Sequence, residues 1–298
     1  MKGIAVESAR VSASLGAESI TSGILNRLNI SYDPPAQPVS YPGDRRAASC
    51  ISVDFDVTEP SRAKTNHAGT SALLELSEEF GIPITWAICG MTADADREAY
   101  QRILDSPVHQ EIGIHTYSHI DALKCDAVKF EEDVRRCLNS LGLDTAPRAF
   151  VFPWNRENHF EVVRALGFRS YRGKDRAMGA PRLSQGLWNV RPVYYVDQKS
   201  LGAEALMKKY LSLSVGTGSV FHLWTHPWGL GIDGDVSRMK KTLEPVFARM
   251  AELDGQGKLA LSTMGHLAEH FDSTMVPGHE RLGPSPGNSG SSTHPASR

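Results

Sequence analysis

Two clusters of residues in this sequence can do metal chemistry. One runs Glu111-Ile-Gly-Ile-His115-Thr-Tyr-Ser-His119 and offers two imidazoles four residues apart, just after a short apolar run. The other lies well upstream, Ile51-Ser-Val-Asp54-Phe-Asp56, and offers two carboxylates separated by one residue at the end of another apolar run. Side chains alternate faces along a strand, so Asp54 and Asp56 point the same way. Together the clusters can supply two histidines and one carboxylate to a metal, with a second carboxylate to spare. Three protein ligands leave coordination positions open for water and substrate, as hydrolytic zinc requires. Either cluster alone is a weak signal. Histidines four apart are ordinary neighbours on a surface helix, and acidic residues are common where strands end. The combination gains weight because both follow strand-like segments, where parallel-sheet proteins gather their active sites.

The elements that must carry these residues alternate along the chain. Strands are expected at Ala48–Val53, Ile84–Ile88, Glu111–Ile114, Ala149–Phe152, Phe168–Tyr171, Val190–Val196, Ser219–Trp224 and Lys258–Ser262. Between them, helical spacing marks Thr70–Phe80, Asp94–Leu104, Asp126–Leu141, His159–Leu166, Leu201–Leu213 and Val236–Leu253, several closed by a glycine. Roughly seven or eight strands in β-then-α order argue a parallel sheet, most simply one closed into a barrel. Residues 1–46 read as an irregular lead-in with one short helical pattern near Ser19–Leu28, residues 47–272 as the catalytic barrel, and residues 273–298 as a disordered tail.

Two further clusters fall where strands end. In Phe221-His222-Leu-Trp224-Thr-His226-Pro-Trp228, His226 suits a rim residue, whereas His222 lies within the strand and reads as a hydrogen-bonded interior histidine. In Phe150-Val-Phe-Pro153-Trp154-Asn155-Arg156, an apolar run ends in a corner that can wall a pocket. Trp188 and Trp224 read as core, while Trp154 and Trp228 adjoin rim positions and can line a ligand site. The net charge of −2 gives no electrostatic argument for nucleic acid or an anionic membrane. Cys50, Cys89, Cys125 and Cys137 are scattered without a paired spacing and read as reduced. No run is long and apolar enough to span a bilayer, and the first residues lack a secretory pattern, so the expected location is cytoplasmic.

The order Asp-x-Asp, His-Thr-x-Ser-His, Phe-x-Phe-Pro-Trp and His-Leu-Trp-Thr-His-Pro resembles the polysaccharide deacetylase family, the NodB-homology carbohydrate esterases, over roughly residues 46–270. The resemblance implies an α/β fold, a distorted (β/α)7 barrel, and a divalent metal. Zn2+ is the usual ion, and the same ligands also take Co2+, Ni2+ or Mn2+. It implies hydrolysis of an N-acyl group, usually acetyl, on an amino sugar or glycan. Asp56, His115 and His119 match the metal ligands, Asp54 the general base and His226 the general acid, with a backbone N–H near Trp154 on the oxyanion. Pro153, Trp154, Asn155 and Trp228 would contact substrate. Thr116 and Ser118 are expected to brace their loop.

The sequence departs from the family pattern in three places. Phe55 separates the two aspartates, which widens the amides to be considered. Val151 stands where an arginine usually orients the base; Arg156 or Arg148 can replace it, and Arg156 is the one expected here. The aspartate that normally orients the late histidine has no clean counterpart, and Asp175 is the candidate. Two other readings remain open: a hydrolase of another linear or cyclic amide of the allantoinase kind, and a catalytically silent carbohydrate-binding barrel.

Overall fold

The computed structural model describes residues 30–275, apart from residues 36–37, 58 and 144. The short helical pattern near Ser19–Leu28 and the tail beyond residue 275 lie outside the described residues. The elements in chain order are β1 (Ser31–Asp33), β2 (Ala47–Phe55), α1 (Ala63–Phe80), β3 (Thr85–Ile88), α2 (Gly90–Ala95), α3 (Arg97–Leu104), β4 (Glu111–Ile114), α4 (Ala127–Leu141), β5 (Ala149–Val151) and α5 (Phe160–Ala165). They continue as β6 (Ser170–Arg172), β7 (Ala177–Gly179), β8 (Arg182–Ser184), β9 (Leu187–Asn189), β10 (Tyr194–Val196), α6 (Glu204–Thr217), β11 (Val220–Thr225), α7 (Ser237–Gly255), β12 (Leu259–Ser262) and α8 (Met264–Met275).

The main sheet runs β10-β11-β2-β3-β4-β5-β6-β9-β8, and β12 pairs with the first half of β2. All pairings are parallel except β8 with β9. The sheet curls strongly. Four residues, 190–193, link β9 near one end to β10 at the other, and a chain that short spans only about 17 Å. Within that link the Val193 N–H bonds the carbonyl of His222 on β11. This is the distorted (β/α)7-type barrel that the sequence resemblance implies.

Alternation sorts each strand into two layers. Ile51, Val53 and Phe55 of β2 face outward with Trp86, Ile88, Ile114 and Phe150, and meet Leu73, Leu74 and Leu76 of α1. Small side chains fill the interior: Ala48, Cys50, Ala87, Ala149 and Val151. Helix α8 plugs one end with Met264, Leu267 and Phe271; its Met264 N–H donates to Thr85 Oγ1 and its Gly265 N–H to the carboxylate of Glu111. Ser52, Asp54, Arg172 and His222 are buried polar residues stacked toward the other end. The four cysteines are free thiols. Among the described residues no helix is long and apolar enough to cross a membrane.

Several elements differ from the sequence-based expectation, among them the short strands β1, β7, β8 and β9, which are not among the expected strands. Helix α1 starts at Ala63 rather than Thr70. The helix expected over Asp94–Leu104 breaks at Asp96, whose side chain accepts the Ala99 N–H and caps α3. Of the expected strand Val190–Val196 only Tyr194–Val196 is a strand, β10; residues 190–193 are the link that reaches it from β9. Helix α8 continues through Ser273 to Met275, so the expected disordered tail does not begin at Ser273.

Candidate active site

Strand β2 carries Asp54 on its interior face, and Asp56 follows one residue past its end; both are buried. The His115–His119 segment leaves β4 as a loop and not as a helical turn. Thr116 and His119 sit at φ 61° and 57°, a region that costs a branched or bulky residue energy and needs outside support. Asp133 of α4 supplies it, accepting from the N–H groups of Tyr117 and Ser118 and from Ser118 Oγ at 2.6–3.0 Å. Thr116 Oγ1 accepts the Ile120 N–H. Thr116 and Ser118 therefore brace the loop. The result is convergence. His119 Nε2 lies 3.0 Å and His115 Nε2 3.7 Å from Asp56 Oδ2.

The donor set fits a divalent ion. Asp56, His115 and His119 each bring one ligand atom within 4.8 Å of the others. His115 Nδ1 lies 2.8 Å from the carbonyl of Val151, which can only accept, so Nδ1 carries a hydrogen and Nε2 is the atom turned to Asp56. His119 Nδ1 is buried without a hydrogen-bond partner. Burial opposes charge on Asp56, but hydrogen bonds with His115 and His119 hold its carboxyl well below the usual range. Burial likewise opposes charge on His115, and Asp54 and Asp56 outweigh it and raise its pKa. A cation held by the same atoms would take the place of that proton. Two imidazoles and a carboxylate are the chemistry of a zinc-class site.

Asp54 is held from across the barrel. Arg172, the last residue of β6, donates two 2.6 Å bonds to its carboxylate in a bidentate pair buried on both sides. Burial raises the Asp54 pKa, yet the guanidinium more than offsets it and leaves the group ionised. Arg172 also donates to Ser52 Oγ at 3.2 Å and to Asn155 Oδ1 at 3.4 Å, and it lies 4.1 Å from the ring of Trp224.

His226 follows β11. Its Nε2 lies 3.6 Å from Asp54 Oδ2 and 3.9 Å from Asp56 Oδ2, while Nδ1 is 3.2 Å from the hydroxyl of Tyr195 on β10. Burial lowers its pKa, with Arg172 and His115 adding to the effect and the aspartates opposing it. The next turn, Pro227–Leu230, places the Trp228 indole so that its N–H donates to Asp56 Oδ1 at 2.8 Å.

The residues singled out from sequence are thus not all brought together. Asp54, Asp56, His115, His119 and His226 share one centre. Trp154 stands at its edge, 58% exposed, with its indole N–H donating to the His119 carbonyl. Pro153 is buried beside it, and Trp154 and Asn155 take φ 61° and 52° at the corner. Arg156 is not on Asp54: it pairs with Asp121 on an outer loop, and Arg172 occupies the place foreseen for it. Asp175 is not on His226: it acts on Glu157 and Arg191, and Tyr195 meets the imidazole instead. Trp188 is core, but Trp224 stands half-buried in the site against Tyr195, at 4.2 Å. Arg172 and Tyr195 escaped the sequence reading because one falls a residue past the expected strand end and the other was placed inside a single long strand.

A profile described as polysaccharide deacetylase matches residues 44–170, which include Asp54, Asp56, His115 and His119 and stop just short of Arg172. Among curated proteins, none matches the sequence. Solved structures do match. One, from Mycobacterium smegmatis and provisionally described as a polysaccharide deacetylase, is 20% identical, covers 84% of this chain and 99% of its own, and superposes with a TM-score of 0.67. A second so described, from Pseudomonas aeruginosa, is 15% identical over 80% of this chain and 95% of its own, with a TM-score of 0.63. A CE4 family pseudoenzyme from Bacillus anthracis is 13% identical over 80% of this chain and 69% of its own, with a TM-score of 0.51. At such identities the likeness is one of fold.

Proposed function

Because the chain carries the polysaccharide deacetylase family's signature over residues 44–170 on that family's barrel, we propose that it is a metal-dependent hydrolase removing an N-acyl group, acetyl first of all, from an amino sugar or glycan. One observation carries this reading: Asp56, His115 and His119 converge beside a buried, ionised Asp54 and a half-buried histidine at position 226. A binding module needs no such base.

Asp56, His115 and His119 would hold the ion, zinc before cobalt, nickel or manganese. Bound there, it acidifies water and polarises the acyl oxygen. The proton traffic falls to the chain's own residues. Asp54, fixed by Arg172, accepts a proton from the attacking water; the bidentate pair sacrifices basicity for orientation. His226 Nε2, 3.6 Å from Asp54 Oδ2, can pass that proton on to the leaving nitrogen. Trp154 and Pro153 wall the approach for a carbohydrate substrate, and residues 47–272 form the catalytic unit.

The test is metal content by elemental analysis of wild-type protein beside His119→Ala, followed by assay on N-acetyl sugars. About one equivalent in wild type, lost in the variant, together with release of acetate, is the expected result. No metal after reconstitution would overturn the reading. Bound metal with turnover only on cyclic amides or ureides would move the substrate class to that of an allantoinase-like enzyme.

A further inference from the structure

The two oxygens of Asp56 are not equivalent. Oδ2 faces His119 Nε2 at 3.0 Å and His115 Nε2 at 3.7 Å. Oδ1 instead accepts the indole N–H of Trp228 at 2.8 Å. Indole nitrogen is a donor only, so this bond has one direction and one purpose, and a bond to an ionised acceptor is among the stronger ones. The indole is also firmly seated. Its turn rests on α1 at Gly69, where a Cβ would run into the carbonyl of Pro227. Arg62 lies 3.9 Å over the Trp228 ring, and the His226 ring packs 4.5 Å away, tilted by 36°. The Gly229 N–H closes the turn on the His226 carbonyl at 2.9 Å.

We propose that Trp228 is a positioning residue of the metal centre: its N–H holds Oδ1 and thereby presents Oδ2 alone as the carboxylate ligand. This rests on the metal-hydrolase reading and deepens it. This role is additional to the substrate contact expected from sequence, because the indole N–H is engaged by Asp56 while the side chain still lines a pocket with Arg62 and Tyr195. A carboxylate restrained to one oxygen keeps the ion's coordination number low and its remaining positions open to water and substrate.

Trp228→Phe keeps an aromatic ring against Arg62 and His226 and removes only the N–H donor with the second ring. Two measurements on wild type and variant decide the matter: Zn2+ affinity by chelator competition, and the visible d–d spectrum of the Co2+-loaded protein. Metal affinity about 10–100-fold weaker in the variant is expected, the usual cost of losing an outer partner of a ligand. The Co2+ bands should also lose intensity as Asp56 becomes free to use both oxygens. A melting curve of the metal-free variant checks that the fold is kept. If phenylalanine loosens the turn, benzothienylalanine at position 228, which exchanges the N–H for sulfur within the same bicycle, repeats the measurement. Unchanged affinity with an unchanged spectrum overturns the role of the indole and leaves the hydrolase reading standing. A wild-type protein that takes up no metal overturns both.

Discussion

The two sides of the barrel rim contribute differently to the site. From β2 and β4 come the groups that would touch metal and water: Asp54, Asp56, His115 and His119. From β6, β10 and the end of β11 come the groups that hold or complement them: Arg172, Tyr195, His226 and Trp228. On the first side the spacing is local, the carboxylates two positions apart and the imidazoles four. On the second it is not. Strand β6 lies four places from β2 in the sheet, about 19 Å away if the sheet were flat, yet Arg172 and Asp54 meet at 2.6 Å. Curvature makes that contact. The chemistry is written in short motifs, and its support in the closure of the barrel.

The strongest test of the first side is Asp54→Asn. Turnover should fall about 10²–10⁴-fold with metal still bound, since the ligands are untouched and only the base is lost. Near-full activity with bound metal would sink the base assignment.

The next test breaks the second side alone. Arg172→Gln strands Asp54 buried without its counter-charge, which should cost about 3–5 kcal/mol of stability, read by urea unfolding. A carboxylate free to shift by an ångström should also lower turnover by about 10²-fold. Combining Arg172→Gln with Asp54→Asn removes both charges, so the double variant should lose less stability than the sum of the singles. Strict additivity would mean that the pair is not coupled, against the bidentate geometry.

This division also explains what the sequence could disclose. The barrel order, the Asp-x-Asp and the His-Thr-x-Ser-His elements are readable because a strand period and a short loop keep the partners within a few residues of one another. Arg172 is not, because placing it on Asp54 requires knowing both that β6 extends one residue past Tyr171 and that the sheet curls. Arg156 was the natural substitute by proximity in sequence, yet the corner at Trp154 and Asn155 turns it outward to Asp121. Tyr195 was hidden by a different effect. An apolar-rich run over Val190–Val196 reads as one strand, but Val190–Val193 crosses from β9 to β10 and resets which face each residue shows. Trp228 was visible as a rim residue, and only its bond to Asp56 reveals what it does there.

The least disruptive test lies one layer below the site, at His222. Its Nδ1 is 3.0 Å from the carbonyl of Val190, which cannot donate, so the hydrogen sits on Nδ1. Its Nε2 must then accept from Ser52 Oγ, at 2.8 Å, and Ser52 in turn accepts from Arg172. This directed chain works only with a neutral imidazole, and burial with the nearby Arg172 charge pushes the His222 pKa down to about 3. The unfolded chain binds a proton near pH 6.5 that the folded chain refuses until about pH 3. Within that window the unfolded state carries more protons, so stability rises with pH and is lost as pH falls. The slope from this one group is at most about 1.4 kcal/mol per pH unit. In His222→Gln it disappears, while the contributions of other histidines remain in both proteins. Urea unfolding between pH 7 and pH 4 should therefore show a steeper loss in wild type than in the variant, whatever their difference at neutral pH. Equal slopes would mean that His222 takes a proton in the folded state and donates its Nε2–H to Ser52 Oγ, which would then accept from both His222 and Arg172.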